Sequence, residues 1–172
     1  MAIRQIICYT CKKRYGNLDK YCSFFGHGDF YETEDLECRI KSEIADCVEN
    51  RKIYNFWLGG YGGYDSCCAR YVKEMKEIYP QIKSYLVLAY IHNKVDDYDK
   101  EYIAKMFDGT IYPPLENIPL RFAISKRNKW IVDNSDYIIF YVNHSWGGAC
   151  KSFEYANKKH KDYINFGTKK EL

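Results

Sequence analysis

Two stretches of this chain are equipped to hold an anion: Gly59-Gly60-Tyr61-Gly62-Gly63-Tyr64-Asp65 and Asn143-His144-Ser145-Trp146-Gly147-Gly148-Ala149. Glycine lets the backbone turn sharply and come close to a ligand. Each stretch links a β-like run to a helical pattern. Free backbone N–H groups and the positive end of a helix dipole therefore face whatever sits there, which suits phosphate. The first is not a P-loop, because no Gly-Lys-Ser/Thr follows it. Nor is it the dinucleotide fingerprint, because Asp65 stands where the third glycine of a run from Gly60 would be. One such loop is only a tight turn. Two at the carboxyl ends of strands mark the edge where open α/β sheets bind ligands.

Arg127 is the most informative single residue. In a helix from Leu120 to Asn134, Leu120, Ile124, Arg127 and Ile131 share one face. A guanidinium in the middle of an apolar stripe needs a partner. It pairs with a core carboxylate, or it points past the strand ends and grips phosphate; periodicity leaves both open. Asn128 serves either role. Asp65, at a helix start, is an N-cap or a ribose ligand. Glu154 balances a helix dipole or faces the ligand. His27, in Phe25-Gly26-His27-Gly28-Asp29, is a pocket residue or a loop histidine. The candidate ligand set is His27, Gly59, Gly60, Gly62, Gly63, Tyr64, Asp65, Arg127, Asn128, Trp146, Gly147, Gly148 and Glu154. Glu154 and Arg127 are catalytic only if the protein is an enzyme.

The eight cysteines offer a second chemistry. Cys8, Cys11, Cys22 and His27 match no standard zinc spacing, so no metal and no cofactor is expected. Cys67 and Cys68 open a helix, where a thiolate is stabilised, although packing is the alternative. Met1–Thr10 lacks the apolar core of a signal peptide. No apolar run approaches the ~20 residues of a membrane span. The expectation is a cytoplasmic protein without membrane contact, whose thiols stay reduced and pack as small hydrophobes. A net charge of +3 is too balanced to point to nucleic acid. The 18 Tyr, 9 Phe and 3 Trp suit base stacking and a homodimer or higher homo-oligomer, and also reflect compositional bias.

The elements that must position these residues alternate in the α/β manner: a Rossmann-like domain with a mostly parallel sheet flanked by helices. Strands are predicted at Tyr21–Phe25, Ile53–Leu58, Ser84–Ile91, Gly109–Tyr112, Tyr137–Val142 and Tyr163–Phe166. Helices are predicted over Thr33–Asn50, from the first glycine loop to Tyr79, over Leu120–Asn134, and from the second loop to about His160. His92–Pro119 reads as irregular apart from its short strand. Residues 1–20 form an extension, with an edge strand possible at Arg4–Tyr9, and residues 21–172 form the domain.

Several blocks together resemble the SLOG-like family of bacteria and phages: FFGHGD, the GG-x-GG-x-D loop, EIYPQIKSYLVLAY, DGTIYPP and SKRNKWIVDNSDYIIFYVNHSWGGACKSFE. That family is related to the Lonely Guy phosphoribohydrolases. The resemblance spans about Tyr21 to Phe166. It implies that Arg127 and Glu154 fall where those enzymes act on a nucleoside monophosphate, with Arg127 facing the ligand. Two departures are visible: Gly28 replaces the arginine of the usual Gly-His-Arg, and Trp146-Gly147-Gly148-Ala149-Cys150 replaces the hydrolase form Pro-Gly-Gly-x-Gly-Thr. The resemblance therefore implies a binder of a nucleotide signal, such as an ADP-ribose derivative, in phage–bacterium conflict. The alternative is an N-glycosidase.

Overall fold

Side chains along the strands go alternately to two cores, and this alternation organises the molecule. In β1 (Tyr21–Gly26), Cys22 and Phe24 enter one core while Tyr21 and Phe25 enter the other. In β2 (Asn55–Leu58), Phe56 and Leu58 join the first and Trp57 the second. A sheet buried on both faces must be covered by helices on both, which parallel connections supply. The structure, a computed structural model, describes residues 19–90 and 97–167. The possible strand at Arg4–Tyr9 and the Cys8/Cys11 pair lie outside them.

The remaining strands are β3 (Lys83–Val87), β4 (Gly109–Ile111), β5 (Tyr137–Tyr141) and β6 (Asp162–Asn165). Their order in the sheet is β4-β3-β2-β1-β5-β6, and every described pairing is parallel. Helices α1 (Glu34–Glu49) and α2 (Gly63–Ile78) cover one face through Leu36, Ile40, Ile44, Cys68, Tyr71 and Val72. Helices α4 (Leu120–Asn134) and α5 (Gly147–Lys158) cover the other through Ile131, Val132, Cys150 and Ala156. No helix among the described residues is long and apolar enough to cross a membrane.

Helix α1 starts where Thr33 accepts a hydrogen bond from the Leu36 N–H at 3.2 Å, with Glu34 and Asp35 in its first turn. A helix α3 (Asp97–Met106) occupies part of the stretch predicted as irregular. Its signal is weak because few of its hydrophobics reach the core: Ile103 and Met106 pack against it, and the half-exposed Tyr102 meets Phe107 edge-on. Strand β3 is also shorter than its apolar run.

The Leu120–Ile131 stripe is buried only in its second half. Leu120 is 75% exposed and Ile124 42%, whereas Ile131 is sealed in the core. In the first turns of α4 the buried residue is Ala123, one position off this stripe.

The cysteine expectation holds for four of the six described cysteines, which are buried. The idea of a stabilised thiolate at Cys67-Cys68 does not hold. Burial pushes both thiols up, and Cys67 donates to the Glu32 carboxylate at 3.3 Å.

Packing of α2 against the end of β1 depends on a close approach at Gly26. A Cβ there would stand 2.2 Å from the Tyr64 ring of α2. Gly26→Ala is expected to destabilise the fold by about 2–3 kcal/mol through overpacking. Adding Tyr64→Ala should relieve part of that cost, so the double mutant is less damaged than the sum of the singles in urea unfolding.

Candidate ligand site

The order of the strands reverses between β1 and β5, and at such a switch point two loops part to leave a crevice. A cavity of about 340 Å³ lies there. It is lined by Gly26, His27, Gly28 and Asp29 beyond β1, and by Gly59, Tyr61 and Asp65 from the first glycine loop and α2. Ile124, Arg127 and Asn128 of α4, and His144 with Trp146–Ala149 of the second loop and α5, complete it.

Arg127 is 2% exposed. Its Nη1 donates to the Gly59 carbonyl at 2.5 Å and to the Val87 carbonyl at 3.1 Å. The sequence left two roles open, a core carboxylate or a phosphate. In the structure the guanidinium ties two strand-end carbonyls while still lining the cavity, and its Nε has no partner. Burial pulls it down from its ordinary value, and Asp65 pulls it back. Its side chain lies over the Tyr61 ring, 5.1 Å from the centroid, in the range of a cation–π contact.

Asp65 is not the residue that caps α2. It sits in the third position, and its Oδ2 reaches back to accept from the Tyr61 N–H at 3.0 Å. Burial pushes its carboxyl up to about 6, while that N–H and Arg127 oppose the rise. Asp65 and Arg127 flank Gly59: a Cβ there would lie 2.8 Å from both the Asp65 Oδ2 and the Arg127 Nη1. Only a glycine leaves room for the pair.

The second loop enters α5 at Gly147, whose φ of +91° favours glycine. No side chain caps this helix. Its first N–H groups, around Gly147 and Gly148, thus lie at the cavity wall without a side-chain acceptor. Across from them, His27 and His144 stack with centroids 3.3 Å apart, and His144 stacks on Trp146 at 3.9 Å. Burial and the neighbouring His144 hold His27 below its ordinary value, so its ring is neutral near pH 7.

Of the thirteen candidates, His27, Gly59, Asp65, Arg127, Asn128, Trp146, Gly147 and Gly148 come together around the cavity. Gly60, Gly62, Gly63, Tyr64 and Glu154 do not line it. Tyr64 is buried against the sheet and donates to the Ile139 carbonyl at 3.3 Å. Tyr61, between two glycines of positive φ, is turned to the cavity in its place. Glu154 is exposed two turns into α5 and accepts a weak hydrogen bond from the Cys150 thiol. Asp29 and His144 were not among the candidates, although the HGD and NHSW contexts flank the same two strand ends.

Fold and cavity define a Rossmann-like α/β protein with a crevice at its topological switch point. DNA processing protein A from Streptococcus pneumoniae has a similar structure, with a TM-score of 0.57 and 15% identity over 86% of this chain. The match covers 50% of that protein, so this chain spans half its length. The protein of the same name from Helicobacter pylori, solved for its single-stranded DNA binding mode, gives a TM-score of 0.58 at 14% identity, over 85% of this chain and 64% of that one. The molybdenum cofactor carrier protein of Chlamydomonas reinhardtii gives 0.55 at 15% identity, over 88% and 78%. At these identities the likeness is one of fold. No family model and no curated protein matches the sequence.

Two outcomes follow for the Arg127–Asp65 pair. A carboxyl raised to about 6 binds its proton more tightly in the folded state than in the unfolded one, whose value is about 3.9. Its contribution therefore falls as pH rises from about 4 to 6 and is flat above. Asp65→Asn should flatten the stability profile across that window in urea titrations. Arg127→Met leaves the Gly59 and Val87 carbonyls without their donor and should cost about 3 kcal/mol.

Proposed function

We propose that this protein is a SLOG-type domain that holds a phosphate-bearing, nucleotide-derived small molecule intact in the switch-point cavity. The ligand class is an ADP-ribose derivative or a cyclic nucleotide, and the role is sensing or sequestration in phage–bacterium conflict. One observation carries this reading. The N-terminus of α5, with no side-chain cap, and the Arg127–Asp65 pair at Gly59 line the same cavity. The helix end supplies N–H groups for phosphate oxygens. Asp65 and Asn128 supply acceptors for ribose hydroxyls. Tyr61 and the 67% exposed Trp146 supply faces for a base.

The N-glycosidase alternative relies on Glu154 as its acid–base group. Glu154 stands on the exposed surface and does not line the cavity. The exposed Leu120 and Phe122 near the rim support a homodimer, expected as a doubled mass in light scattering.

The test is thermal denaturation with a panel of ADP-ribose isomers, cyclic dinucleotides, nucleoside monophosphates and a single-stranded oligonucleotide. A true ligand about a hundredfold above its Kd should raise Tm by roughly 5–10 °C. The ligand released on denaturation should be intact by mass spectrometry. Gly148→Asp should abolish the shift without unfolding the protein. Gly148 has no positive φ, and a Cβ there meets only the Asn128 amide nitrogen, at 4.0 Å. A carboxylate at that point repels an anion. No shift with any nucleotide overturns the reading, and a shift with the oligonucleotide alone replaces it with nucleic-acid binding. Free base in the released material replaces it with the N-glycosidase.

A further inference from the structure

The two histidines of the cavity are left with nitrogens that the fold does not use. His27 is only 4% exposed, and its Nε2 has no hydrogen-bond partner. Both ring nitrogens of His144 are buried and likewise make no hydrogen bond. Native interiors hydrogen-bond nearly all such groups, so three imidazole nitrogens without a hydrogen bond in one cluster call for an explanation. Asp29 supplies one. Its Oδ1 is 3.5 Å from the His144 Nε2, and donor atoms of His27, Asp29 and His144 all lie within 4.8 Å of one another.

We propose that His27, Asp29 and His144 bind a divalent first-row transition ion, with zinc the best fit. Two imidazoles and one carboxylate form an N/O donor set suited to zinc or another such ion. They leave at least one position for water or a bound ligand. All three residues line the cavity beside the Gly147–Gly148 end of α5. The open position therefore faces the same space as that helix terminus. An anionic oxygen there is held by the ion on one side and by backbone N–H groups on the other. The class of ligand that completes the site is a phosphate or a carboxylate.

The geometry also says what loading requires. Donors about 2.1 Å from one ion are about 3.0–3.4 Å apart. Imidazole lone pairs lie in the ring planes, and two rings stacked at 21° do not aim at one point. The His144 ring must fan away from His27, and Asp29, 65% exposed on its turn, must swing inward. Because Trp146 stacks on His144, this motion changes the surroundings of an exposed indole and gives the site an optical signal.

The site does not rest on the nucleotide reading, because the ion is tested alone. The full chain, stripped with a chelator and kept reduced, is titrated with Co²⁺ and separately with Zn²⁺. The expected result is one equivalent of Co²⁺ giving visible ligand-field bands without a thiolate charge-transfer band. Tryptophan fluorescence should change with the same midpoint, and that change should vanish in Trp146→Phe. His144→Gln and Asp29→Asn should each weaken the affinity at least tenfold. Asp29 is exposed, so its variant serves as the control that keeps the fold, checked by its melting temperature. Binding of equal affinity in both variants overturns the proposal. So does a site marked by thiolate charge transfer, or no saturable binding at all.

Discussion

A buried guanidinium at the ends of two parallel strands is the constraint around which this site is built. Parallel strands stop together, and their last carbonyls face the crevice instead of a neighbour. Arg127 meets two of them, at Gly59 and Val87, and so ties β2, β3 and α4 into one edge. Such a charge is tolerated because its Nη1 serves both carbonyls and the Asp65 carboxylate lies nearby. Gly59 follows from that arrangement, since any side chain there would enter the space of both Arg127 and Asp65. The backward hydrogen bond from Tyr61 to Asp65 then sets the path of the first glycine loop.

The crevice exists because chain direction across the sheet reverses between β1 and β5. From one side come the residues after β1, which carry His27 and Asp29. From the other come those after β5, which carry His144 and Trp146. The stacked column of His27, His144 and Trp146 is therefore a tertiary feature spanning 117 residues of chain between its two histidines, 27 and 144. Its polar atoms are poorly satisfied, whereas the two cores beneath are made of well-packed aliphatic and aromatic side chains. Local departures from full satisfaction commonly concentrate where a protein works.

Likeness to DNA processing protein A and to a molybdenum cofactor carrier shows how widely this scaffold is shared. Function in such folds resides in the residues placed at the crevice, not in the sheet. Here those residues are a helix terminus without a side-chain cap, one tethered arginine, two imidazoles and three carboxylate or amide groups. The set places backbone N–H donors, a guanidinium, imidazoles and carboxylates around a single space.

The sequence by itself determined the alternating α/β order, most element boundaries and the two loops at the sheet edge. These rest on local periodicity and on glycine placement, which short windows of chain encode. It also singled out Arg127 as a polar residue on an apolar stripe. Only the tertiary structure decided what Arg127 touches, because its partners are main-chain carbonyls, which carry no sequence signal. It decided that Tyr61 and not Tyr64 faces the cavity, through glycine dihedrals on either side. It placed Glu154 outside, on the exposed side of α5 two turns from the cavity, since the reach from a helix position to a crevice is set by packing and not by the local pattern. And it joined His27 and Asp29 to His144, a contact made by strand order, which no local pattern of residues records.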